Sequence, residues 1–201
     1  MVKQKLKEKK IILFGGTFDP VHLGHLILAQ EAQNFLSAEK VFFVPCYQSP
    51  HKLGQKAVHW KHRIKMLSLA IKTNHRFFVS DYEIKQKGIS YAYNTVKHFY
   101  KKHKGYKIYF LMGLDSLLEF KSWKNWAEIL KMATIIVGER LVKNVKKVND
   151  LIKTKKVILL YSPKIEISAN NIRKQVQENK SVKYLVTPEV EKYIIKHKLY
   201  K

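Results

Sequence analysis

Apolar positions along the chain fall into two alternating patterns. Short runs of apolar residues, rich in Val, Ile, Leu and Phe, occupy 11–14, 41–44, 77–79, 108–112, 134–137 and 157–161. Runs of this length without polar alternation predict strands covered on both faces. The segments between them, 26–36, 60–72, 91–103, 122–132 and 142–153, place apolar residues three and four apart, which is the spacing of one helix face. A further helix pair is predicted at 170–178 and 188–198. Strand then helix, repeated, predicts an α/β fold: a Rossmann-like doubly wound parallel sheet with helices on both faces, binding ligands beyond the carboxyl ends of its strands. No repeat, linker or composition break divides the 201 residues, so one domain is expected over 1–201, with a C-terminal helical part from about 168. The stretch 46–58 keeps neither period and holds Pro50 and Gly54, which makes it a candidate functional loop.

The first strand runs directly into Gly15-Gly16-Thr17-Phe18-Asp19-Pro20-Val21-His22-Leu23-Gly24-His25 and then into the first helix. Paired glycines after a strand let the backbone approach a ligand closely, and the helix that follows offers unpaired N–H groups and a positive dipole end. Phosphate is the natural guest. The run is not a Walker A loop, because no Lys-Ser or Lys-Thr follows the glycines, and it lacks the G-x-G-x-x-G dinucleotide spacing. His22 and His25, three apart in the first helical turn, put both imidazoles on one face at the anion-binding end. Zinc ligation would fill only two of four positions, and packing or capping is the plainer alternative. Ligation of nucleotide phosphates is the favoured reading, since ring N–H donors there can stabilise charge on phosphoryl oxygens. A second candidate anion site rests on the same physics: Ser168 can cap a helix beginning near Asn170, and an Arg at position 173, unfavourable for that helix dipole, points to an anionic ligand, with a plain surface Arg as the alternative.

Charge changes the picture less than its size implies. The chain carries 39 Lys and Arg against 15 Asp and Glu, a formal net charge of +24. A polyanionic partner is one reading. Yet only Arg63, Arg76, Arg140 and Arg173 are Arg, the residue suited to bidentate recognition, and the Lys are spread from Lys3 to Lys201 without a block. The excess therefore reads mainly as solvated surface that draws in small anions; no specific nucleic acid partner is expected. Lys interrupts every apolar run well short of the roughly 20 residues a membrane span needs, so no membrane partner is expected either. The single Cys46 and a basic start without a long apolar stretch behind it point to the cytoplasm. With 46% apolar and 27% charged residues, collagen-like and mostly disordered chains are excluded.

The run GGTFDPVHLGH resembles the signature of the nucleotidyltransferase superfamily whose His-x-Gly-His motif binds ATP, and its longer form resembles the bacterial nicotinate-nucleotide adenylyltransferase family. Further stretches are similar to that family in order: Val44-Pro45 with Ser49-Pro50-His51-Lys52, then Ile89-Ser90-Tyr91, then Met112-Gly113-Leu114-Asp115-Ser116-Leu117 with Trp123, then Ile167-Ser168-Ala169-Asn170-Asn171-Ile172-Arg173, and a closing 193–200. The resemblance implies adenylyl transfer from ATP to nicotinic acid mononucleotide, giving deamido-NAD and pyrophosphate by direct displacement, with Mg²⁺ accompanying ATP and no metal ligands from the protein. It implies His22, His25, Lys52 and Arg173 as the catalytic set. For ATP it implies Gly15, Gly16, Thr17, Phe18, Gly113, Asp115 at the ribose, Ser168 and Asn170 beside the two histidines and Arg173. For the nicotinate nucleotide it implies Gly16, Lys52, Tyr91, Ala92, Trp123 stacked on the pyridine ring, and Lys124.

Several positions depart from the family's pattern: Ala92 and Asn170 stand where Thr is common, and Arg140 is followed by Leu141 in place of Pro-Gly. Asp115 could alternatively cap the helix after strand four, Lys52 could be one more solvated Lys, and Trp126 reads as core. Ser122 is expected to cap a helix carrying Trp123, whose N–H groups would favour the nicotinate carboxylate. The rivals are pantetheine-phosphate or nicotinamide-nucleotide adenylyltransferase and, from another class, a basic nucleic-acid-binding protein.

Overall fold

Uninterrupted apolar runs become strands here because both of their faces are covered. The computed structural model describes residues 8–50, 57–139, 149–161, 163 and 165–201. Strands β1 (Lys10–Gly16), β2 (Lys40–Pro45), β3 (Phe77–Val79), β4 (Lys107–Gly113), β5 (Thr134–Glu139) and β6 (Val157–Tyr161) pair in parallel in the order β3-β2-β1-β4-β5-β6. The helices are α1 (Leu23–Leu36), α2 (Trp60–Ala70), α3 (Tyr82–Gln86), α4 (Ala92–Lys102), α5 (Leu114–Leu118), α6 (Trp126–Met132), α7 (Asn149–Lys153), α8 (Ala169–Gln177) and α9 (Pro188–Lys196). Ile12 and Phe14 of β1 join a core with Ala29 of α1, Met66 of α2, Ile172 of α8 and Ile194 of α9. Ile11 and Leu13 face the other way, onto Val96 of α4, Ile129 of α6 and Leu151 of α7. The predicted doubly wound sheet is therefore present, and all six predicted strands are in it.

The chain leaves β1 toward β2 and β3, then returns to place β4 on the other side of β1. That reversal opens a crevice at the carboxyl ends of β1 and β4. Among the described residues, no helix is long and apolar enough to cross a membrane.

Two helix predictions need correction. Helix α1 begins at Leu23, three residues earlier than its apolar period, because His22 caps it. The predicted helix over 122–132 is broken. A 3-10 turn occupies Phe120–Ser122, Trp123 is extended (φ −72°, ψ 141°), Asn125 takes a left-handed conformation (φ 54°), and only then does α6 start. Ser122 consequently caps nothing around Trp123; its hydroxyl donates to the Glu119 carbonyl at 2.7 Å. Ser and Asn compete locally for backbone groups, and Asn tolerates the left-handed region, so this short polar stretch turns where periodicity alone predicts a helix. Of the predicted helix 142–153, only Asn149–Lys153 falls within the described residues. Helices α3 and α5, five residues each, are too short to announce themselves by period.

Candidate active site

The turn from β1 into α1 is built around two histidines and one strained phenylalanine. His22 is the N-cap of α1, extended at φ −141° and ψ 169°, and its N–H donates to Nδ1 of His25 at 3.2 Å. With Nδ1 accepting, a neutral His25 carries its proton on Nε2 and presents that nitrogen as a donor. The two rings stack, with centroids 3.6 Å apart. Gly24 permits this, since a Cβ there would stand 3.1 Å from His22 Nδ1. Phe18 sits at φ 51°, a costly conformation for an aromatic residue, and is held there by burial against Phe14, Phe43 and the His25 ring, the last 5.0 Å away. Its ring belongs to the core, so a ligand would meet chiefly its backbone. A Cβ on Gly16 would press on the Phe18 ring at 3.0 Å, which explains a glycine at that position.

Across the crevice, Ser168 caps α8 as predicted, accepting from the Asn171 N–H at 3.2 Å. Arg173 projects back to the β1 turn: Nη1 donates to the Asp19 carbonyl at 2.7 Å and Nη2 to the Asn170 side-chain oxygen. Thr17, His25, His59 and Arg173 thereby line one cavity of about 400 Å³. A second, of about 550 Å³, is lined by Gly15, Gly16, Tyr91, Ala92, Asp115, Trp123 and Lys124. Both fall in the size range of small-molecule sites. Thr17, Cys46 and Ser49 line both, so the cavities adjoin. Trp123 is held edge-on to Phe110 and tilted on Phe120, at 6.1 and 5.5 Å between centroids, while the Lys124 ammonium lies 4.6 Å from the Tyr91 ring centre.

The structure thus groups His25, Thr17 and Arg173 on one side and Tyr91, Ala92, Trp123 and Lys124 on the other. Asp115 lies in the first turn of α5, capped by Gly113, on the wall of the second cavity, so it is not itself a cap. Gly113 faces open space, where a Cβ would meet nothing within 4 Å. Ser168 and Asn170 are exposed at the start of α8 and line neither cavity. Lys52 and Arg140 lie outside the described residues.

Two buried charged residues escaped the sequence reading. Arg63, only 2% exposed, donates to the carbonyls of Thr17 (2.8 Å), Cys46 (2.8 Å), Tyr47 (3.3 Å) and Val58 (3.0 Å). Its signal was its position: it is three and four residues before Met66 and Leu67, on the buried face of α2. Glu83, buried in the wall of the second cavity, accepts the Thr95 hydroxyl and interacts with Ser90, whose Oγ accepts the Tyr47 N–H at 2.9 Å. Burial holds the Glu83 carboxyl above the usual range, and burial likewise pushes the Cys46 thiol up.

Replacing Arg63 by Met leaves four carbonyls without their donor, and is expected to destabilise the fold by about 3 kcal/mol or more in urea unfolding. A change below about 1 kcal/mol would show that water substitutes for the guanidinium. Glu83 gives a pH signature. Its folded state holds a proton more tightly than the unfolded chain, so its contribution is fully present below the unfolded pKa and is lost as pH rises through the folded pKa. Glu83→Gln should therefore lose less stability than the parent between about pH 4 and pH 8, read from thermal unfolding at each pH. Parallel curves would show that the carboxyl is ionised across that range.

Residues 13–175 match the family described as Cytidylyltransferase-like. A curated relative from Caldicellulosiruptor saccharolyticus, named "Probable nicotinate-nucleotide adenylyltransferase", is 41% identical over 197 residues, covering 96% of this chain and 99% of its own. A relative of the same name from Clostridium novyi is 38% identical over 199 residues, covering 96% and 100%. The solved structure of Plasmodium falciparum nicotinic acid mononucleotide adenylyltransferase complexed with NaAD shares the fold, with a TM-score of 0.79 at 24% identity over 96% of this chain and 97% of that one. By the family match over residues 13–175 and by identity over nearly the full length, the chain belongs to the cytidylyltransferase-like nucleotidyltransferases and, within them, to the nicotinate-nucleotide adenylyltransferase family.

Proposed function

We propose that the chain transfers the adenylyl group of ATP to nicotinic acid mononucleotide, giving deamido-NAD and pyrophosphate. The observation that carries this reading is the pair of adjoining cavities, one with His25 and Arg173, the other with Tyr91, Trp123 and Lys124. A direct displacement needs that arrangement, with donor phosphates and acceptor nucleotide meeting at a shared wall. An oxygen of the acceptor's ionised phosphate attacks the α-phosphorus of ATP; the bond to the bridging oxygen breaks, and its electron pair leaves with pyrophosphate. No side chain attacks and no strong base is required, so positioning and charge stabilisation supply the acceleration.

In this reading His22 and His25 stabilise charge on the transferring phosphate, with the His25 Nε2 proton as one donor, and Arg173 holds the departing phosphates. Backbone groups of Gly15, Gly16, Thr17 and Phe18 approach the nucleotides, Asp115, on the wall of the second cavity and not of the first, accepts from a ribose hydroxyl there, and Ser168 and Asn170 support the Arg173 side. Lys52 belongs to the proposed catalytic set as a further positive charge. Mg²⁺ enters with ATP as part of the substrate, bound to phosphate oxygens and water. Among the described residues, no group of three or more His, Cys, Asp or Glu side chains could hold a metal. One domain over 1–201 belongs to the same proposal, since strands from both halves share one sheet; so does a cytoplasmic location, on the lone Cys46.

The acid substrate should be preferred over the amide, for a reason that differs from the expected Ser122 cap. Tyr91 is the N-cap of α4 with no side-chain cap bond, and Ala92 in the first turn lines the second cavity. The first N–H groups of α4 and the Lys124 ammonium are donors only, and the helix dipole adds positive potential there. A carboxylate satisfies them, whereas an amide NH₂ meets donor with donor. Ala92 supplies no hydroxyl, which leaves discrimination to the backbone.

Pyrophosphate release from ATP with nicotinic acid mononucleotide tests the assignment, and release only with phosphopantetheine would refute it. His22→Ala and His25→Ala are each expected to lower kcat about 100-fold or more with circular dichroism unchanged. Folded variants with near-normal turnover would remove the pair from the chemistry. The ratio of kcat/KM for the nicotinate over the nicotinamide nucleotide, at fixed ATP and Mg²⁺, should be about 5 to 150. Equal values would sink the donor-only account while leaving adenylyl transfer standing.

A further inference from the structure

Asp19 stands in the phosphate turn without a part in the chemistry above. It is 6% exposed and lines the cavity assigned to the phosphates, where an unsatisfied carboxylate would repel the ligand. Both of its oxygens are engaged. Oδ1 accepts the Tyr200 hydroxyl at 2.8 Å, across 181 residues of sequence, and Oδ2 accepts the Val58 N–H at 3.3 Å. The carbonyl of the same residue accepts Arg173 Nη1 at 2.7 Å. The segment leading to Tyr200 also touches the start of α1, where the Leu23 N–H donates to the Leu185 carbonyl at 2.9 Å. Tyr200 itself lines neither cavity.

We infer that Tyr200 is a positioning residue for the phosphate site: its hydroxyl fixes Asp19, and Asp19 through its carbonyl aims Arg173. The hydroxyl keeps its proton, because burial first and the Asp19 charge second push its pKa above the ordinary tyrosine value. Loss of that donor frees one carboxylate oxygen to turn toward the phosphates and loosens the carbonyl that orients the guanidinium. The inference rests on the reading of Arg173 as a phosphate ligand.

The test uses the full chain, inorganic pyrophosphate as probe and calorimetric titration, on the parent, Tyr200→Phe, Arg173→Gln and the double variant. Tyr200→Phe should weaken pyrophosphate binding about 5- to 20-fold while the KM for nicotinic acid mononucleotide stays within about twofold. In the Arg173→Gln background the same substitution should change pyrophosphate binding less than about twofold, because its route of action is already gone. A folded Tyr200→Phe with unchanged pyrophosphate affinity, equal weakening of both ligands, or full additivity with Arg173→Gln overturns the inference. If Tyr200→Phe does not fold, Asp19→Asn in the same two backgrounds reads the same coupling, with non-additivity again expected. A parent chain that turns over but binds pyrophosphate no more weakly after Arg173→Gln overturns the inference without touching adenylyl transfer; a parent that does not turn over overturns the functional reading itself.

Discussion

Four carbonyls from three stretches of backbone converge on one buried guanidinium, and the placement of both cavities depends on that convergence. Thr17 belongs to the turn after β1, Cys46 and Tyr47 follow β2, and Val58 precedes α2. All four carbonyls lie outside the named strands and helices. Arg63, fixed on the buried face of α2, supplies the missing donors and brings the three turns together at the crevice. The shared wall of Thr17 and Cys46 between the cavities is a direct result.

A site for phosphates and a carboxylate must also dispose of its own acids. Asp19 and Glu83 are both buried beside the ligand space, and each is satisfied by neutral donors rather than by a counter-ion aimed at the ligand. Tyr200 and the Val58 N–H take the oxygens of Asp19; the Thr95 hydroxyl and Ser90 take those of Glu83. His25 and Arg173 line the first cavity and Lys124 the second. Each acid ties separate segments together, so the same bonds that hide charge also hold the walls apart at a fixed spacing.

The sheet and its order of elements were legible because a strand covered on both faces has no polar alternation, and a covering helix keeps its apolar stripe. The phosphate turn was legible because glycines, histidines and a helix start are local. What escaped was non-local or aperiodic. Residues 122–125 read as helix by spacing but turn because Ser122 and Asn125 satisfy local backbone preferences. Arg63 was one cation among 39 until its position on the apolar face of α2 was set beside the carbonyls it meets. The bond from Tyr200 to Asp19 joins residues whose neighbourhood no pattern in either segment announces.

The net charge of +24 does not explain specificity, although it is the most conspicuous property of the sequence. Most of the described Lys are exposed, their ion pairs such as Lys85 with Asp81 and Lys131 with Glu128 lie in solvent, and fields from such groups fade beyond about 8 Å at physiological salt. A field of that kind raises the encounter rate of every anion alike. Choosing one nucleotide over another requires groups whose direction is fixed before the ligand arrives. In the proposed reading the stacked imidazoles and the guanidinium of Arg173 meet that requirement, because the His22 N–H holds His25 Nδ1 and the Asp19 carbonyl holds Arg173 Nη1. Surface lysines, free to swing, do not.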